Sequence, residues 1–287
     1  MELLRSLLFA PGNQPERLRK FPRIDADAFV IDLEDGTPEA DKSAARAQLA
    51  AIVDELRAQP LGGYLLVRVN DPQSAHVEAD LEAALGADID GIVVPKLETS
   101  DQVRYFGAAL ARARRDRPLA IVGGIESMRG VMAAPTLAGA DPHLRALYFG
   151  AEDYITDIGG QRTPAGLEVL YARSQVVLAA RAAGLAAIDQ AVVEIRDETR
   201  FRDDAGQGRQ LGYGGKICLL PRQVELANAL FSPAPAQVAF CRRLLEAAGA
   251  AARQGNGVVE FEGRMIDAPL LKRALAVAAL ADRIGAD

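Results

Sequence analysis

Short apolar runs, each closed by polar, Gly or Pro residues, recur along the chain and alternate with Ala/Arg/Leu-rich stretches of helical period. Eight runs stand out, at residues 7–10, 28–31, 64–67, 91–94, 119–122, 146–149, 185–188 and 216–220. Nearly unbroken apolar strands are what a parallel sheet covered on both faces requires, and eight βα units predict an α/β fold, the (β/α)8 TIM barrel. The alternative is a doubly wound sheet, but no Gly-x-Gly-x-x-Gly follows the first run, so its main nucleotide-binding signal is missing. Beyond the eighth run the pattern predicts helix over 221–229, a break at Ser232-Pro233-Ala234-Pro235, helix through 252, a Gly-containing hairpin-like stretch at 255–264 and a last helix over 269–283. That is more chain than barrel closure needs. The expected organisation is a barrel domain at 1–230 and a C-terminal helical extension, or arm, at 231–287.

Composition narrows the class. The 287 residues are 49% hydrophobic and 25% charged, as in a soluble globular protein. With 33 basic and 39 acidic residues the net charge is -6, which argues against nucleic-acid or membrane-surface binding. The opening segment has too short an apolar run, and lacks the basic leader, for a signal peptide or membrane span, so it reads as a first strand in a cytoplasmic protein. Two histidines, two cysteines and five lysines make a zinc site or disulfide framework poorly supported. Cys218 and Cys241 lie in apolar runs and are expected as buried thiols, while His76 and His143 fall in loops and receive no role. Acid/base and metal chemistry therefore falls on carboxylates.

In a (β/α)8 barrel, function gathers where the strands finish. Here those ends are polar: Asp32-Leu33-Glu34-Asp35 after the second run, Arg68-Val69-Asn70-Asp71 after the third, Pro95-Lys96-Leu97-Glu98 after the fourth, Glu126-Ser127 after the fifth and Glu152-Asp153 after the sixth. Any one acidic residue there can be a loop or helix cap, and Glu126-Ser127 could simply start the fifth helix. The whole set, converging on one rim, suits a hard divalent cation with oxygen ligands, Mg2+ by default. Without a cation, or Arg68 and Lys96, such carboxylates would repel one another.

The stretches Arg5-Ser6-Leu7-Leu8-Phe9-Ala10-Pro11-Gly12-Asn13, Asp32-Leu33-Glu34-Asp35, Val67-Arg68-Val69-Asn70, Pro95-Lys96, Ile125-Glu126-Ser127 and Gly150-Ala151-Glu152-Asp153 occur in that order. Together they resemble the citrate lyase β-subunit-like family of the HpcH/HpaI aldolase superfamily, which includes malyl-CoA and citramalyl-CoA lyases. The resemblance spans essentially the whole chain. It implies a Mg2+-dependent carbon-carbon lyase that cleaves a malyl-, citramalyl- or citryl-CoA-like thioester to an acyl-CoA and a 2-oxo acid. Glu126 and Asp153 match the metal ligands, Arg68 the arginine near the reacting oxygen, and Asp32, Glu34 and Asp35 an acidic cluster behind the metal or its bound water. Gly263-Arg264-Met265-Ile266-Asp267-Ala268-Pro269 is similar to a C-terminal motif that brings an aspartate over a neighbouring subunit's mouth. This makes Asp267 the expected acid/base and implies a homo-oligomer, trimer or hexamer. Asp267 before Ala-Pro also suits the N-cap of the last helix.

One stretch departs from the family pattern: Leu220 stands where histidine is usual. CoA, implied by the resemblance as part of the substrate, suits basic side chains, with Arg17, Arg19, Lys20 and Lys96 as the expected contacts, although the first three equally suit a solvated helix face. Three other activities stay open at this level: an acyl-CoA thioesterase of the same fold, a subunit working on an acyl-carrier protein, and a Schiff-base aldolase through Lys96 or Lys216.

Overall fold

A computed structural model of the chain describes residues 3–113, 115–253 and 259–285. Strands β1 (Ser6–Pro11), β2 (Ala28–Asp32), β3 (Tyr64–Arg68), β4 (Gly91–Val94), β5 (Ala120–Ile125), β6 (Leu144–Phe149), β7 (Ala186–Asp189) and β8 (Gly215–Cys218) coincide with the eight expected runs. Each pairs in parallel with the next, and β8 returns to β1 through Leu7 opposite Ile217, closing the barrel. Around them stand α1 (Pro15–Leu18), α2 (Lys42–Arg57), α3 (Val77–Gly86), α4 (Ser100–Arg112), α5 (Met128–Leu137), α6 (Ala151–Asp157), α7 (Leu167–Ala182), α8 (Glu198–Leu211) and α9 (Pro221–Phe231).

Side chains alternate faces along a strand, so each strand feeds two layers. The inner layer is one cluster: Leu7, Ala28, Val30, Leu66, Val93, Val122, Ala146, Tyr148, Ile188 and Ile217, all buried. The outer positions, among them Leu8, Phe29, Ile31, Leu65 and Val67, are equally buried, beneath the helices. Fully burying one such side chain stabilises the fold by about 1.5–3 kcal/mol, which is why both parities had to be apolar. Continuing the inner parity past the apolar layer reaches Phe9, Asp32, Arg68, Glu126 and Leu219. Barrel strands thus deliver one more inward layer, and it is mostly polar.

Residues 230–287 form a second compact unit. It contains α10 (Pro235–Arg253), the antiparallel pair β9 (Val259–Phe261) and β10 (Arg264–Ile266), and α11 (Ala268–Arg283). Its own core joins Cys241, Leu244, Ile266 and Ala274, with Phe240 edge-on to Phe261 at 5.6 Å. The first four residues of the expected hairpin, 255–258, lie outside the described residues. Among the described residues no helix is long and apolar enough to cross a membrane.

Candidate active site

Arg68, the last residue of β3, projects into the barrel mouth from the inner parity. Its guanidinium grips the Asp32 carboxylate with two parallel hydrogen bonds, Nε to Oδ1 at 2.7 Å and Nη2 to Oδ2 at 2.6 Å, and its Nη1 lies 2.8 Å from Glu34 Oε2. Phe9 covers it from below, 5.3 Å from ring centroid to Cζ. Burial opposes the charge on Arg68, but Asp32 and Glu34 outweigh it and hold the arginine charged more firmly than usual. Asp32 also accepts the backbone N–H groups of Glu34 and Gly36, both at 2.9 Å. Four donors on two oxygens make Asp32 the anchor of Arg68. A guanidinium has five N–H groups, so with three engaged Arg68 keeps two for a substrate oxygen.

Glu34 is buried between Arg68 and Lys96, whose ammonium lies 2.8 Å from Glu34 Oε1 and 3.4 Å from Asp153 Oδ1. Burial raises the Glu34 carboxyl above its usual range, against the pull of Arg68 and Lys96. Lys96 holds a left-handed backbone, φ +51°, a conformation costly for a residue with a side chain and retained where a site demands it. Asp35 is exposed, its carboxylate 3.8 Å from Lys96.

Glu126, directly after β5, is buried at the mouth. The adjoining Ser127 takes the capping role expected of this pair: its Oγ accepts the Gly130 N–H at 3.1 Å and starts α5, which leaves Glu126 free to turn inward. The Tyr148 hydroxyl donates to Glu126 Oε1. Burial pushes the Glu126 carboxyl up to about 8, with Asp153 and Glu34 adding to the rise and Tyr148 and Arg68 opposing it. Asp153, in the first turn of α6, is half-exposed beside it.

A cavity of about 310 Å³ opens here, lined by the polar Arg68, Glu126, Tyr148 and Asp153 and by the apolar Phe9, Ala191, Ile217 and Leu219. A second hollow of about 290 Å³ lies on the other flank of Glu126 and Asp153, where Lys96, Glu98 and Asp157 complete it. Glu126 and Asp153 border both. A buried carboxylate that holds its proton to about pH 8, next to a second carboxylate, is a set of hard oxygen donors short of positive charge. Among the described residues no group of three or more His, Cys, Asp or Glu gathers as a ready-made metal cage. Mg2+ does not need one: it is held by one or two carboxylates and keeps its other positions for water and substrate, so Glu126 and Asp153 fit it.

The remaining expectations fare differently. Arg17, Arg19 and Lys20 are exposed on and after α1; Arg19 pairs with Glu55 on α2 at 2.7 Å, and none of the three borders the cavity. Lys216 sits on the outward parity of β8, wholly buried and bound to Asp189 Oδ2 at 3.0 Å, the Gln190 carbonyl at 2.7 Å and Asp204 Oδ1 at 2.5 Å. Those three acceptors occupy all its donors, which corrects its candidacy as a Schiff-base lysine. Lys96 is held charged above its ordinary range by Glu34, the reverse of what an amine nucleophile needs. Leu220 caps α9 with its backbone carbonyl, and it is Leu219, on the inner parity, that borders the cavity. Asp267 performs the capping role, its Oδ1 accepting the Leu270 N–H at 2.8 Å at the start of α11. His76 and His143 pair with Glu39 and Asp141, both at 2.7–2.8 Å. Cys218 and Cys241 are buried free thiols.

Sequence reasoning missed Tyr148 and Lys42. Tyr148 lay hidden inside an apolar run, although its parity with Ala146 pointed it inward. Lys42 is buried at the start of α2 and donates to the carbonyls of Leu33 and Glu34, both at 2.9 Å, and to Asn70 Oδ1 at 2.6 Å, fixing the loop that carries Glu34.

Comparison with known proteins places this site in context. Residues 5–221 match the family described as HpcH/HpaI aldolase/citrate lyase. The chain is 49% identical over 275 residues to a citrate lyase subunit beta-like protein of Deinococcus radiodurans, covering 95% of both. It is 29% identical to the mitochondrial citramalyl-CoA lyase of Homo sapiens, over 98% of this chain and 86% of that one. Among solved structures it resembles protein CitE of Mycobacterium tuberculosis in complex with magnesium, acetoacetate and coenzyme A, with a TM-score of 0.77 and 31% identity, covering 98% of this chain and 99% of that one.

Proposed function

The chain belongs to the HpcH/HpaI aldolase/citrate lyase family and is a lyase, and from that premise we propose that it cleaves a 3-hydroxyacyl-CoA thioester reversibly into an acyl-CoA and a 2-oxo acid, with Mg2+. The observation that carries this reading is one cavity bordered by Arg68, Glu126 and Asp153 together with apolar residues. Glu126 and Asp153 would hold the cation. When bound, Mg2+ supplies a Lewis-acidic charge that a 2-oxo acid can chelate. CitE, which was solved with magnesium, acetoacetate and coenzyme A, supports both the metal and the CoA-bearing substrate.

In the cleavage direction the hydroxyl proton leaves, the carbinol becomes the oxo group and the electron pair of the broken C–C bond stays on the carbon next to the thioester, which then takes a proton. Arg68 faces the oxygen on which charge develops; always cationic, and locked by Asp32, it needs no reorganisation to stabilise that charge. Asp32 and Glu34 hold it in place, and Lys96 ties Glu34 to Asp153 across the mouth. Phe9, Ala191, Ile217 and Leu219 give the same cavity apolar surface. The carbon proton is assigned to Asp267, supplied by the second unit of a neighbouring copy in a homo-oligomer.

The test is a panel of malyl-, citramalyl- and citryl-CoA offered to the purified chain with and without Mg2+, scoring 2-oxo acid against free thiol. The expected result is 2-oxo acid without free CoA, abolished by EDTA. Thiol release without 2-oxo acid would make the protein a thioesterase. A substrate adduct trapped by borohydride in EDTA would make it a Schiff-base enzyme, and turnover only with an acyl-carrier protein would make it a subunit of a larger complex. Mixing Asp267→Asn with Glu126→Gln chains should restore part of the activity each lacks; no recovery would remove the shared site.

A further inference from the structure

We propose that Tyr148 is the residue that positions Glu126 for the cation, by holding one carboxylate oxygen and leaving the other presented to the cavity. The inference rests on the reading of Glu126 as a metal ligand and goes beyond it in assigning the group that orients that ligand.

Strand register builds the contact. Tyr148 stands directly opposite Gly124 in the β5–β6 pairing, two residues before Glu126. A side chain at 124 would collide with both the Tyr148 hydroxyl and Glu126 Oε1, so the missing Cβ is what lets phenol and carboxylate meet. On the other side Gly150 performs the same service: a Cβ there would lie 2.5 Å from Glu126 Cγ. The two glycines leave the room that Glu126 occupies. The Tyr148 hydroxyl donates to its Oε1, while among the described residues no hydrogen-bond donor reaches Oε2. Tyr148 is itself 2% exposed and belongs to the inner barrel cluster, so its ring cannot swing away without opening the core.

This arrangement has a physical purpose. A free carboxylate chooses between binding a cation with one oxygen or two and can rotate about its last bond. A ligand with one oxygen already hydrogen-bonded to a fixed donor has lost that choice before the metal arrives, and partners of this kind typically account for 10–100-fold in metal affinity. Phenylalanine keeps the ring and removes only the hydroxyl.

Direct titration of Mg2+ into substrate-free protein by calorimetry tests the assignment. Tyr148→Phe should raise the Kd for Mg2+ about tenfold or more while its far-ultraviolet spectrum stays that of the unaltered protein. Gly124→Ala, which pushes the same two groups apart from the opposite strand, should weaken binding in the same direction. In a Glu126→Gln background, where cation binding is already lost, Tyr148→Phe should add nothing. A Tyr148→Phe protein that binds Mg2+ within twofold of the original overturns the positioning role while leaving the metal reading intact. An original protein that binds no Mg2+ overturns both, and a Tyr148→Phe chain that fails to fold makes the contact a stability device and overturns the assignment alone.

Discussion

Replacing Glu126 by Gln should make the metal-free protein more stable, and increasingly so as pH rises. Burial lifts the Glu126 carboxyl from its ordinary 4.5 to about 8. A native state with a raised carboxyl holds its proton when the unfolded chain has already lost it, so stability falls as pH climbs through that window, by up to about 1.4 kcal/mol per pH unit. Across the whole window the loss amounts to roughly several kcal/mol. Glutamine has no proton to lose, and its amide oxygen can still accept from Tyr148. Urea unfolding of both proteins in EDTA at pH 5, 6.5 and 8 should therefore give nearly equal stabilities at pH 5 and a gap of several kcal/mol in favour of Glu126→Gln at pH 8. A gap that does not change with pH, or one that favours the original protein at pH 8, would refute the argument. Added Mg2+ should then narrow the gap at pH 8: a ligand at a hundred times its Kd stabilises by about 2.7 kcal/mol, and only the chain with Glu126 should respond.

Arg68→Lys keeps the charge but loses the planar fork on Asp32, so turnover should fall at least about 100-fold while the Mg2+ Kd changes less than about threefold, by steady-state kinetics and calorimetry. Lys216→Met strips one partner from a buried charge cluster and should cost about 3–5 kcal/mol in urea unfolding, and borohydride with substrate should leave the mass of the original chain unchanged. Lys42→Met frees the carbonyls of Leu33 and Glu34, with an expected loss of about 1–3 kcal/mol and a fall in kcat larger than the change in KM. Mg2+ binding at pH 7 should release protons, seen as a calorimetric heat that depends on the buffer's ionisation enthalpy, and the release should fade above pH 8.

The barrel was legible because its strands must be apolar on both faces, and each of the eight runs seeded a strand. The rim was legible because the barrel's ends are where charge has somewhere to face. Strand parity separates the residues that were placed well from those that were not. Arg68 follows the inner positions of β3, whereas Lys216 lies on the outer positions of β8, turned toward α7 and α8 and away from the mouth. Adjacency to a strand end does not distinguish the two; counting by twos from the apolar layer does. Arg19 is different in kind, since its partner Glu55 is 36 residues distant and pairs with it only once α1 meets α2. Tyr148 was hidden because a tyrosine in an apolar run reads as filler until the strand opposite is known to offer Gly124.

The two buried charge clusters of this barrel make opposite bargains with the same constraint. Outside the wall, the buried Arg173 and Lys216 pair with Asp189 and Asp204 at 3.2 Å or less, and the partly exposed Arg200 lies 3.9 Å from Asp204. In that set each buried charge has a partner of opposite sign. Inside the mouth, Arg68 and Lys96 face Asp32, Glu34, Asp35, Glu126 and Asp153, so carboxylates outnumber the positive charges. That excess of negative charge is what a bound cation would offset. Burial raises the carboxyls of both Glu34 and Glu126, the latter to about 8, and neighbouring carboxylates add to each rise. Burial among other carboxylates disfavours the charge of Glu126 in the metal-free mouth at high pH, and a cation held by Glu126 and Asp153 would offset that same cost, so Mg2+ binding and the pH-dependent stability of the empty site should change together.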